Sequence, residues 1–565
     1  MIYRQEHPNP QFMRDQWTCL NGLWQFEIDH GNSGEERKLY DGQQDYSMVI
    51  NVPFCPESKL SGVTYTDFMN SVWYRRGIIV TAQQLQGRVL LHFGAVDYEA
   101  TVYVNGNRCG SHRGGYVSFH MDITDHLQEG ENTLVVHAVD DTKNLLIPSG
   151  KQSSRYESHG CFYTRTTGIW QTVWLEYVPQ THIRSVKYDP DIESGMLHIT
   201  AELVGGAELC ASASYEGKPM GCASVCSHGG VAKLSLKLSE IHLWEVGNGR
   251  LYDLELTYGQ DRVHSYFGMR SVRLDGYRFL INEKSVFQRL ILDQGFYPDG
   301  IYTAPDDKEL IADIQRSMDM GFNGARLHEK VFEKRFLYHC DRMGYIVWGE
   351  YPNWGLDHSN VQSVYNVLPE WLEELHRDYN HPSIVGWCPF NETWDTEGRK
   401  QFDELLSLVY KTTKAVDPVR PCIDTSGNFH VLTDIFDVHN YAQDPEALAK
   451  AYDGLPEGIQ DRHECRQKYQ KGQPIFVSEY GGIAWSDDPA GWGYGNAPAT
   501  KEEFMERFCG LTDTLLDNPY MFGFCYTQLT DVEQEQNGLY TYGREPKFDP
   551  AQISKIVSRK AAIED

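Results

Sequence analysis

The 565-residue sequence predicts a multidomain protein in which two β-sandwiches precede a (β/α)8 TIM barrel. Three observations predict this order. Residues 1–180 contain many short strands separated by turn residues, which is typical of an all-β jelly-roll sandwich. Residues 181–272 repeat the pattern on the scale of an immunoglobulin-like sandwich. Residues 273–565 change to strands that alternate with amphipathic helices, the pattern of a barrel.

The strands of the two sandwiches are predicted from alternation and from β-branched and aromatic residues. SVWYRRGIIV at 71–80 and NTLVVHAVD at 132–140 show this pattern in the first part, and Asn105-Gly106 predicts a hairpin turn between two strands. MLHITAELV at 196–204 and LYDLELTY at 251–258 show it in the second part. The second part has no Cys–Trp–Cys framework, so only its architecture is predicted.

The barrel is predicted from strand candidates with helical segments between them. Helices are predicted at 306–320 and 501–516, and Asp306 with Glu309 three residues later forms a capping-box pattern at the first of them. We place the strands at 286–291, 323–327, 345–349, 384–388, 421–424, 434–438, 475–478 and 521–526, of which the fifth and sixth have the weakest patterns.

Composition excludes several classes of protein. The formal net charge of −28 argues against binding to a nucleic-acid backbone, which needs clustered basic residues. No stretch approaches the roughly 18 apolar residues of a membrane span. The 13 cysteines are scattered without CxxC pairs, which favours reduced thiols, and MIYRQEHPNP at the start lacks a basic region followed by an apolar one. We therefore predict a cytoplasmic protein that binds neither nucleic acid nor membrane.

Two glutamates follow predicted barrel strands. Glu392 lies in WCPFNETW at 387–394, and Glu479 lies in FVSEYGG at 476–482. Either motif alone is more often a loop carboxylate. Together, at the carboxyl ends of two barrel strands and beside aromatic residues that can stack on a sugar, they predict hydrolysis of a glycosidic bond. One carboxyl must hold a proton for the leaving oxygen, and the other must be ionised.

The chain resembles glycoside hydrolase family 2 in its compact three-domain form, along essentially its whole length. The resemblance lies in NGLWQF at 21–26, VYVNG at 102–106, TTGIWQTVWLE at 166–176 and the two barrel motifs. It implies that Glu392 is the acid/base, that Glu479 is the nucleophile, that the anomeric configuration is retained, and that Asn391 contacts the sugar 2-hydroxyl. The two carboxyl groups should then lie roughly 5–5.5 Å apart.

The surroundings of the two glutamates carry further expectations. We expect an apolar setting from Trp387 and Phe390 to raise the pKa of Glu392, and Tyr441 to donate a hydrogen bond to Glu479. By the resemblance, Arg326 orients the nucleophile; a structural salt bridge is an equal alternative. The loop 160–168 is expected to reach over the barrel mouth. Many family members carry a histidine one position after His328, so the resemblance does not assign the role of that histidine to His328.

Other substrate-binding candidates follow predicted strand ends. No cofactor is predicted, and no metal site is predicted because His376 and His381 lie five residues apart without an HExxH pattern. The remaining candidates are Asp293, His328, Glu329, Lys330, Glu350, Trp394, His439, Trp485 and Gln528, with Asn391, Arg326 and Tyr441 named above.

The sugar is left open by the sequence. β-Glucuronidases of the family hold the substrate carboxylate with an Asn-x-Lys pair, and the corresponding stretch here reads Asn537-Gly538-Leu539, without the lysine. A neutral sugar is therefore favoured, with a β-D-galactoside as first choice and an α-L-arabinoside as competitor. A β-glucuronide is the further alternative, in which Lys330 or Arg165 supplies the cation.

Two functions other than hydrolysis are also consistent with the sequence. One is a catalytically inactive carbohydrate-binding homologue, against which the presence of both glutamates counts. The other is a transglycosidase, which passes the sugar to an acceptor other than water. The expected partner in each case is a carbohydrate or glycoconjugate, and the resemblance implies a homo-oligomer.

Overall fold

The computed structural model describes residues 2–394, 399–427, 429–460 and 467–564, and every element named below lies in those ranges. No helix in these ranges combines the length and the apolar character needed to cross a membrane. The cysteines within them are free thiols.

The amino-terminal part is a sandwich of two antiparallel sheets, as predicted. One sheet has the strand order β3-β2-β4-β10-β7-β8 and the other β1-β12-β5-β9, and their inner faces share one apolar core. Alternate residues of β2 are buried, as expected for a strand with one face on this core. The strands are β1 (Trp17–Cys19), β2 (Gly22–Ile28), β3 (Met48–Val52), β4 (Ser71–Val80), β5 (Arg88–Phe93), β6 (Val96–Asp97), β7 (Glu99–Val104), β8 (Asn107–Arg113), β9 (Phe119–Asp122), β10 (Gly130–Val139), β11 (Gly168–Ile169) and β12 (Val173–Val178).

A second, smaller sandwich follows, with sheets β13-β14-β17 and β16-β15-β18-β19 around their own core. Arg14 joins the two sandwiches, because its guanidinium donates to Glu176 of the first at 2.8 Å and to Asp261 of the second at 2.9 Å. The strands are β13 (His182–Asp191), β14 (Met196–Val204), β15 (Ala207–Tyr215), β16 (Lys218–Ser227), β17 (Gly230–Lys237), β18 (Tyr252–Tyr258) and β19 (Asp261–Phe267).

The carboxyl-terminal part is the predicted barrel. A small antiparallel sheet of β20 (Val272–Asp275), β21 (Arg278–Ile281) and β22 (Lys284–Ser285) precedes it. Parallel strands then follow in the order β26-β25-β24-β23-β29-β28-β27, and each is buried along its whole length, as strands covered on both faces must be. They are β23 (Gln288–Asp293), β24 (Gly324–Leu327), β25 (Ile346–Glu350), β26 (Ile384–Cys388), β27 (Phe436–Asn440), β28 (Ile475–Gly481) and β29 (Met521–Thr527).

The strand predicted at 421–424 is much reduced. Only isolated parallel bridges join this region to the segment of β26 and its extension, between Trp387 and Cys422 and between Asn391 and Ser426. Asp306 is the N-cap of the first helix, as predicted, since its carboxylate accepts from the Glu309 N–H at 3.0 Å, while the Glu309 carboxylate accepts from Arg316 at 2.6 Å. The helices are α1 (Asp307–Asp319), α2 (Lys334–Met343), α3 (Val364–Asp378), α4 (Asp403–Val416), α5 (Pro445–Lys450), α6 (Lys501–Leu516) and α7 (Pro550–Val557).

Candidate active site

The fold brings the two predicted glutamates together at the barrel mouth. Glu392 lies just beyond the end of β26, and Glu479 lies within the carboxyl-terminal half of β28. A carboxylate oxygen of each lies within 4.8 Å of the other, and His439 from β27 lies within the same distance of both. Glu392 takes a φ of +48°, a left-handed conformation that is uncommon for residues other than glycine.

Glu479 is held through both of its oxygens. Arg326 Nη1 donates to Oε1 at 3.1 Å, and the Tyr441 hydroxyl donates to Oε2 at 2.5 Å. Arg326 is itself fixed, because its Nε donates to Glu350 at 2.5 Å. The Glu479 carboxylate therefore has one orientation, and the expected donor Tyr441 is in place.

His439 lies between the two glutamates. Its Nδ1 donates to Glu392 Oε1 at 2.6 Å and lies 3.3 Å from Glu479 Oε2, while its Nε2 lies 2.8 Å from the Ser426 hydroxyl. Gly427 leaves room for this contact, since a Cβ there would lie 2.9 Å from His439 Nδ1. The imidazole thus serves as a shared partner for both carboxylates.

The prediction that the pKa of Glu392 is raised is wrong. Burial alone raises the pKa of this carboxyl, but the hydrogen bond and the positive charge of His439 outweigh it and lower the pKa. For His439 itself, burial alone lowers the pKa, and the charges of Glu479 and Glu392 outweigh it and raise the pKa. The proton that the pair shares is therefore held on His439, next to Glu392.

Asn391 is positioned to bind a hydroxyl group. Its side-chain oxygen accepts from Arg326 Nη2 at 3.2 Å, and its main-chain N–H donates to Asn353 at 2.7 Å. Its Nδ2 is buried and has no acceptor among the described residues. A buried amide N–H without a partner is costly, so this group is available to a sugar hydroxyl.

His328 and Glu350 support Arg326. Glu350 accepts from Arg326 on one oxygen and lies 3.1 Å from His328 Nδ1 on the other. Burial lowers the pKa of His328 well below its usual range, so the ring is neutral. Both side chains are buried.

Lys330 and Asp293 make hydrogen bonds with nearby main-chain groups. Lys330 Nζ donates to the carbonyl oxygens of Gly295 at 2.5 Å and Tyr302 at 2.8 Å, and burial lowers its pKa to about 7. Asp293 accepts from the Gly295 N–H at 2.8 Å, and burial raises its pKa to about 6.

Arg165, the other cation that the sequence offered for a substrate carboxylate, is also used by the protein. It donates to main-chain oxygens of Ser153, Arg155, Thr66 and Tyr156. Both Lys330 and Arg165 therefore already have main-chain acceptors, which makes them less suited to replace the missing lysine of the Asn-x-Lys pair.

Gln528 belongs to a buried polar network at the end of β29. Its amide group accepts from Gln294 and donates to Asn537, each at 2.7 Å. Asn537 in turn donates to Glu535 at 3.2 Å, and the Tyr163 hydroxyl donates to the other Glu535 oxygen at 2.5 Å. The stretch that departs from the Asn-x-Lys pattern thus brings a carboxylate, Glu535, which the sequence did not single out.

The remaining candidates have mixed surroundings. Glu329 accepts from the Trp354 N–H at 3.0 Å, while its other oxygen is buried without a partner among the described residues. The Trp394 ring lies 4.6 Å from that of Phe429. Trp485 packs on the helical layer, with ring centroids 5.9 Å from Phe504 and 5.5 Å from Phe548, which is a core contact.

A loop of the first domain, residues 149–164, covers one side of the mouth, as expected for part of its length. Ser149 N and Gly150 N donate to the Trp354 carbonyl oxygen at 2.8 and 3.0 Å, and Trp492 Nε1 donates to the Gly160 oxygen at 2.9 Å. This first-domain loop carries Lys151, a buried side chain that sequence reasoning missed because nothing local distinguishes it from any loop lysine.

The arrangement suits one carboxylate to attack and the other to transfer a proton. Glu392, His439 and Glu479 also offer atoms within 4.8 Å of one another that a cation could bind. Such an ion would bind both carboxylates that the reaction needs. That the protein works without a metal cofactor stays a prediction. Activity measured after EDTA treatment would test it.

Comparisons with known proteins agree with this geometry. Residues 17–179 match the sugar binding domain of glycosyl hydrolases family 2, and residues 272–547 match the TIM barrel domain of the same family. A β-glucuronidase of Paenibacillus borealis is 25% identical over 94% of this chain and 94% of its own length. A β-galactosidase of Thermoanaerobacter pseudethanolicus is 29% identical over 58% of this chain and 46% of its own.

Solved structures share the fold. The β-glucuronidase of Lactobacillus rhamnosus has a TM-score of 0.80 at 20% identity, with 97% of this chain and 98% of that chain covered. The β-glucuronidase of Ruminococcus gnavus in complex with D-glucuronic acid has a TM-score of 0.78 at 18% identity, with 98% and 100% covered.

Proposed function

The chain belongs to glycosyl hydrolase family 2 and is a glycosidase, and we propose that it removes a terminal β-D-glucuronic acid by a retaining double displacement. The observation that carries the mechanism is the approach of Glu392 and Glu479 to within 4.8 Å, since inversion needs room for a water between them. The first-domain loop over the mouth supports exo action, because it closes one side of the cleft.

In the proposed mechanism, Glu479 attacks the anomeric carbon while Arg326 and Tyr441 hold its carboxylate. The proton shared by His439 and Glu392 passes through Glu392 to the leaving oxygen. Once Glu479 is esterified, its negative charge is gone, and Glu392 can accept the proton of the incoming water. Water then releases the sugar from Glu479 with its configuration retained.

The choice of glucuronide is supported by the relatives. Those described above that align over more than nine tenths of both chains are β-glucuronidases. β-D-Galactoside is the second candidate, because Leu539 stands where the Asn-x-Lys pair has its lysine and because one relative is a β-galactosidase. The α-L-arabinoside alternative is carried into the test.

The test is a set of initial rates on p-nitrophenyl β-D-glucuronide, β-D-galactoside and α-L-arabinoside. We expect the glucuronide to be hydrolysed fastest, with the rate lost in Glu479→Gln and kept in Glu502→Gln, an exposed glutamate on α6. Faster hydrolysis of either other glycoside would reject the glucuronide. Equal, negligible rates before and after Glu479→Gln would indicate a binding homologue, and products carrying an added acceptor would indicate transglycosylation.

A further inference from the structure

Lys151 is a buried lysine whose ammonium group has no hydrogen-bond acceptor among the described residues. Its side chain belongs to a residue only 5% exposed, and its Nζ lies 4.0 Å from the centre of the Trp354 ring. Trp354 Nε1 donates to the Asn391 carbonyl oxygen at 3.2 Å, so the same ring touches both Lys151 and the residue before Glu392. The ammonium group is therefore next to the sugar-binding end of the cleft.

The main chain fixes Lys151 in this place. The Lys151 carbonyl oxygen accepts from the Tyr163 N–H at 2.7 Å, and the preceding Gly150 N–H donates to the Trp354 carbonyl oxygen at 3.0 Å. Gly150 takes a φ of +55°, and a Cβ there would lie 2.6 Å from the Glu329 carbonyl oxygen. Only a glycine fits this approach, which sets Lys151 rigidly against the barrel.

The charges around Lys151 keep it protonated without satisfying its hydrogen bonds. Burial alone lowers the pKa of Lys151, but Cys161, followed by Glu535, Glu479 and Glu329, outweighs it and raises the pKa. Glu535 makes its hydrogen bonds with Tyr163 and Asn537 and none with Lys151. Nζ has no protein acceptor among the described residues and is not one of their fully buried unpartnered atoms, so it keeps a contact with solvent that a ligand carboxylate can replace.

We propose that Lys151 of the first-domain loop binds the carboxylate of the substrate and so selects uronic acids, in place of the lysine missing from Asn537-Gly538-Leu539. This inference rests on the proposed function and names the residue behind its sugar preference. Main-chain carbonyl oxygens already accept from Lys330 and from Arg165, whereas no such acceptor in the described ranges contacts Lys151, which makes Lys151 the better candidate. The substrate carboxylate would supply the acceptor that Lys151 lacks and would lie on the face of Trp354.

The test compares kcat/KM for p-nitrophenyl β-D-glucuronide and for its methyl ester, which has the same ring and no charge. In Lys151→Met, we expect kcat/KM for the acid to fall about 100-fold, and that for the ester to change less than about 3-fold. Lys151→Arg keeps the charge and should recover part of the loss. Lys143→Met, an exposed lysine of the same domain, is the matched control and should change neither value.

Equal losses for acid and ester in Lys151→Met, or no loss for either, would overturn the proposal, since Lys151 would then bind hydroxyl groups or only shape the loop. If the wild-type protein hydrolyses another glycoside and not the glucuronide, the proposed function is wrong, and the role of Lys151 needs its own test. In that case, inhibition by D-glucuronate and by D-glucuronamide is compared between the wild-type protein and Lys151→Met. A preference for the charged inhibitor that disappears in Lys151→Met supports the carboxylate site, and an unchanged preference rejects it.

Discussion

The strand ends of the barrel and the first-domain loop face one cleft, but their charged groups differ in whether they have hydrogen-bond partners. At the strand ends, Arg326 is paired with Glu350 and Glu479, and His439 is paired with Glu392. In the loop, Lys151 is equally buried and has no hydrogen-bond acceptor in the described part of the chain. The strand ends thus form a complete unit that suits bond cleavage, while the loop presents a charge that a substrate can satisfy.

A comparison of Lys151 with a second buried lysine, Lys330, shows the same difference. Lys330 follows β24, is buried like Lys151, and donates to two main-chain carbonyl oxygens. Its role is in the fold, whereas the proposed role of Lys151 is in binding. Changes at the strand ends should therefore affect every substrate, and changes in the loop should separate charged from neutral ones.

The largest effect is expected for Glu479→Gln. Because an amide cannot form the glycosyl-enzyme ester, kcat should fall about 10⁴-fold or more for every glycoside that the protein hydrolyses. Steady-state rates of the purified variant measure this. A loss of activity on the glucuronide alone would contradict the assignment of bond cleavage to the strand ends, since Glu479 would then select the substrate.

The next effect is expected for Glu392→Gln, and it should depend on the leaving group. Loss of the general acid should lower kcat/KM about 10²- to 10⁴-fold for an alkyl glycoside, which needs a proton on its leaving oxygen. The loss should be smaller for a p-nitrophenyl glycoside, whose leaving group needs little help. Equal losses on the two substrates would contradict the acid role of Glu392.

A smaller change is expected for His439→Gln. Glu479 and Glu392 raise the pKa of His439, so the pair keeps its proton to higher pH than an ordinary histidine would. Without the imidazole, the basic limb of the kcat/KM profile should move to lower pH, and the maximum should fall about 10-fold. A profile that keeps its basic limb would show that the proton is not held on His439.

The smallest effect on selectivity is expected for Lys330→Met. The carbonyl oxygens of Gly295 and Tyr302 lose their donor, so the free energy of unfolding should fall by about 1–3 kcal/mol. The ratio of kcat/KM for the glucuronide and its methyl ester should not change. Denaturant titration and the two rates measure this, and a changed ratio would remove the contrast between Lys330 and Lys151.

The sequence predicted the elements that depend on local pattern. The strand at 384–388 matches β26, and the helix at 501–516 matches α6, because hydrophobic periodicity and end signals are strong there. The strand at 421–424 was predicted from one of the two weakest patterns, and only isolated bridges form there. Such a short segment is a weak predictor when its partner strand is not known.

The site was predicted where strand ends determine position. Barrel topology places Glu392 and Glu479 across the mouth, and Arg326 and Tyr441 contact Glu479 as expected. The sign of the pKa shift of Glu392 was missed, because it depends on the contact with His439 from another strand. Lys151 was missed because a docked loop of a different domain brings it to the cleft.

The most direct test of the account is the anomer that is released first. Proton NMR of the reaction mixture, recorded before mutarotation is complete, distinguishes the α- and β-anomers of the free sugar. The proximity of Glu392 and Glu479 predicts that the β-anomer appears first and that the α-anomer grows in later by mutarotation. An α-anomer released first would mean inversion, and it would contradict the double displacement at Glu479.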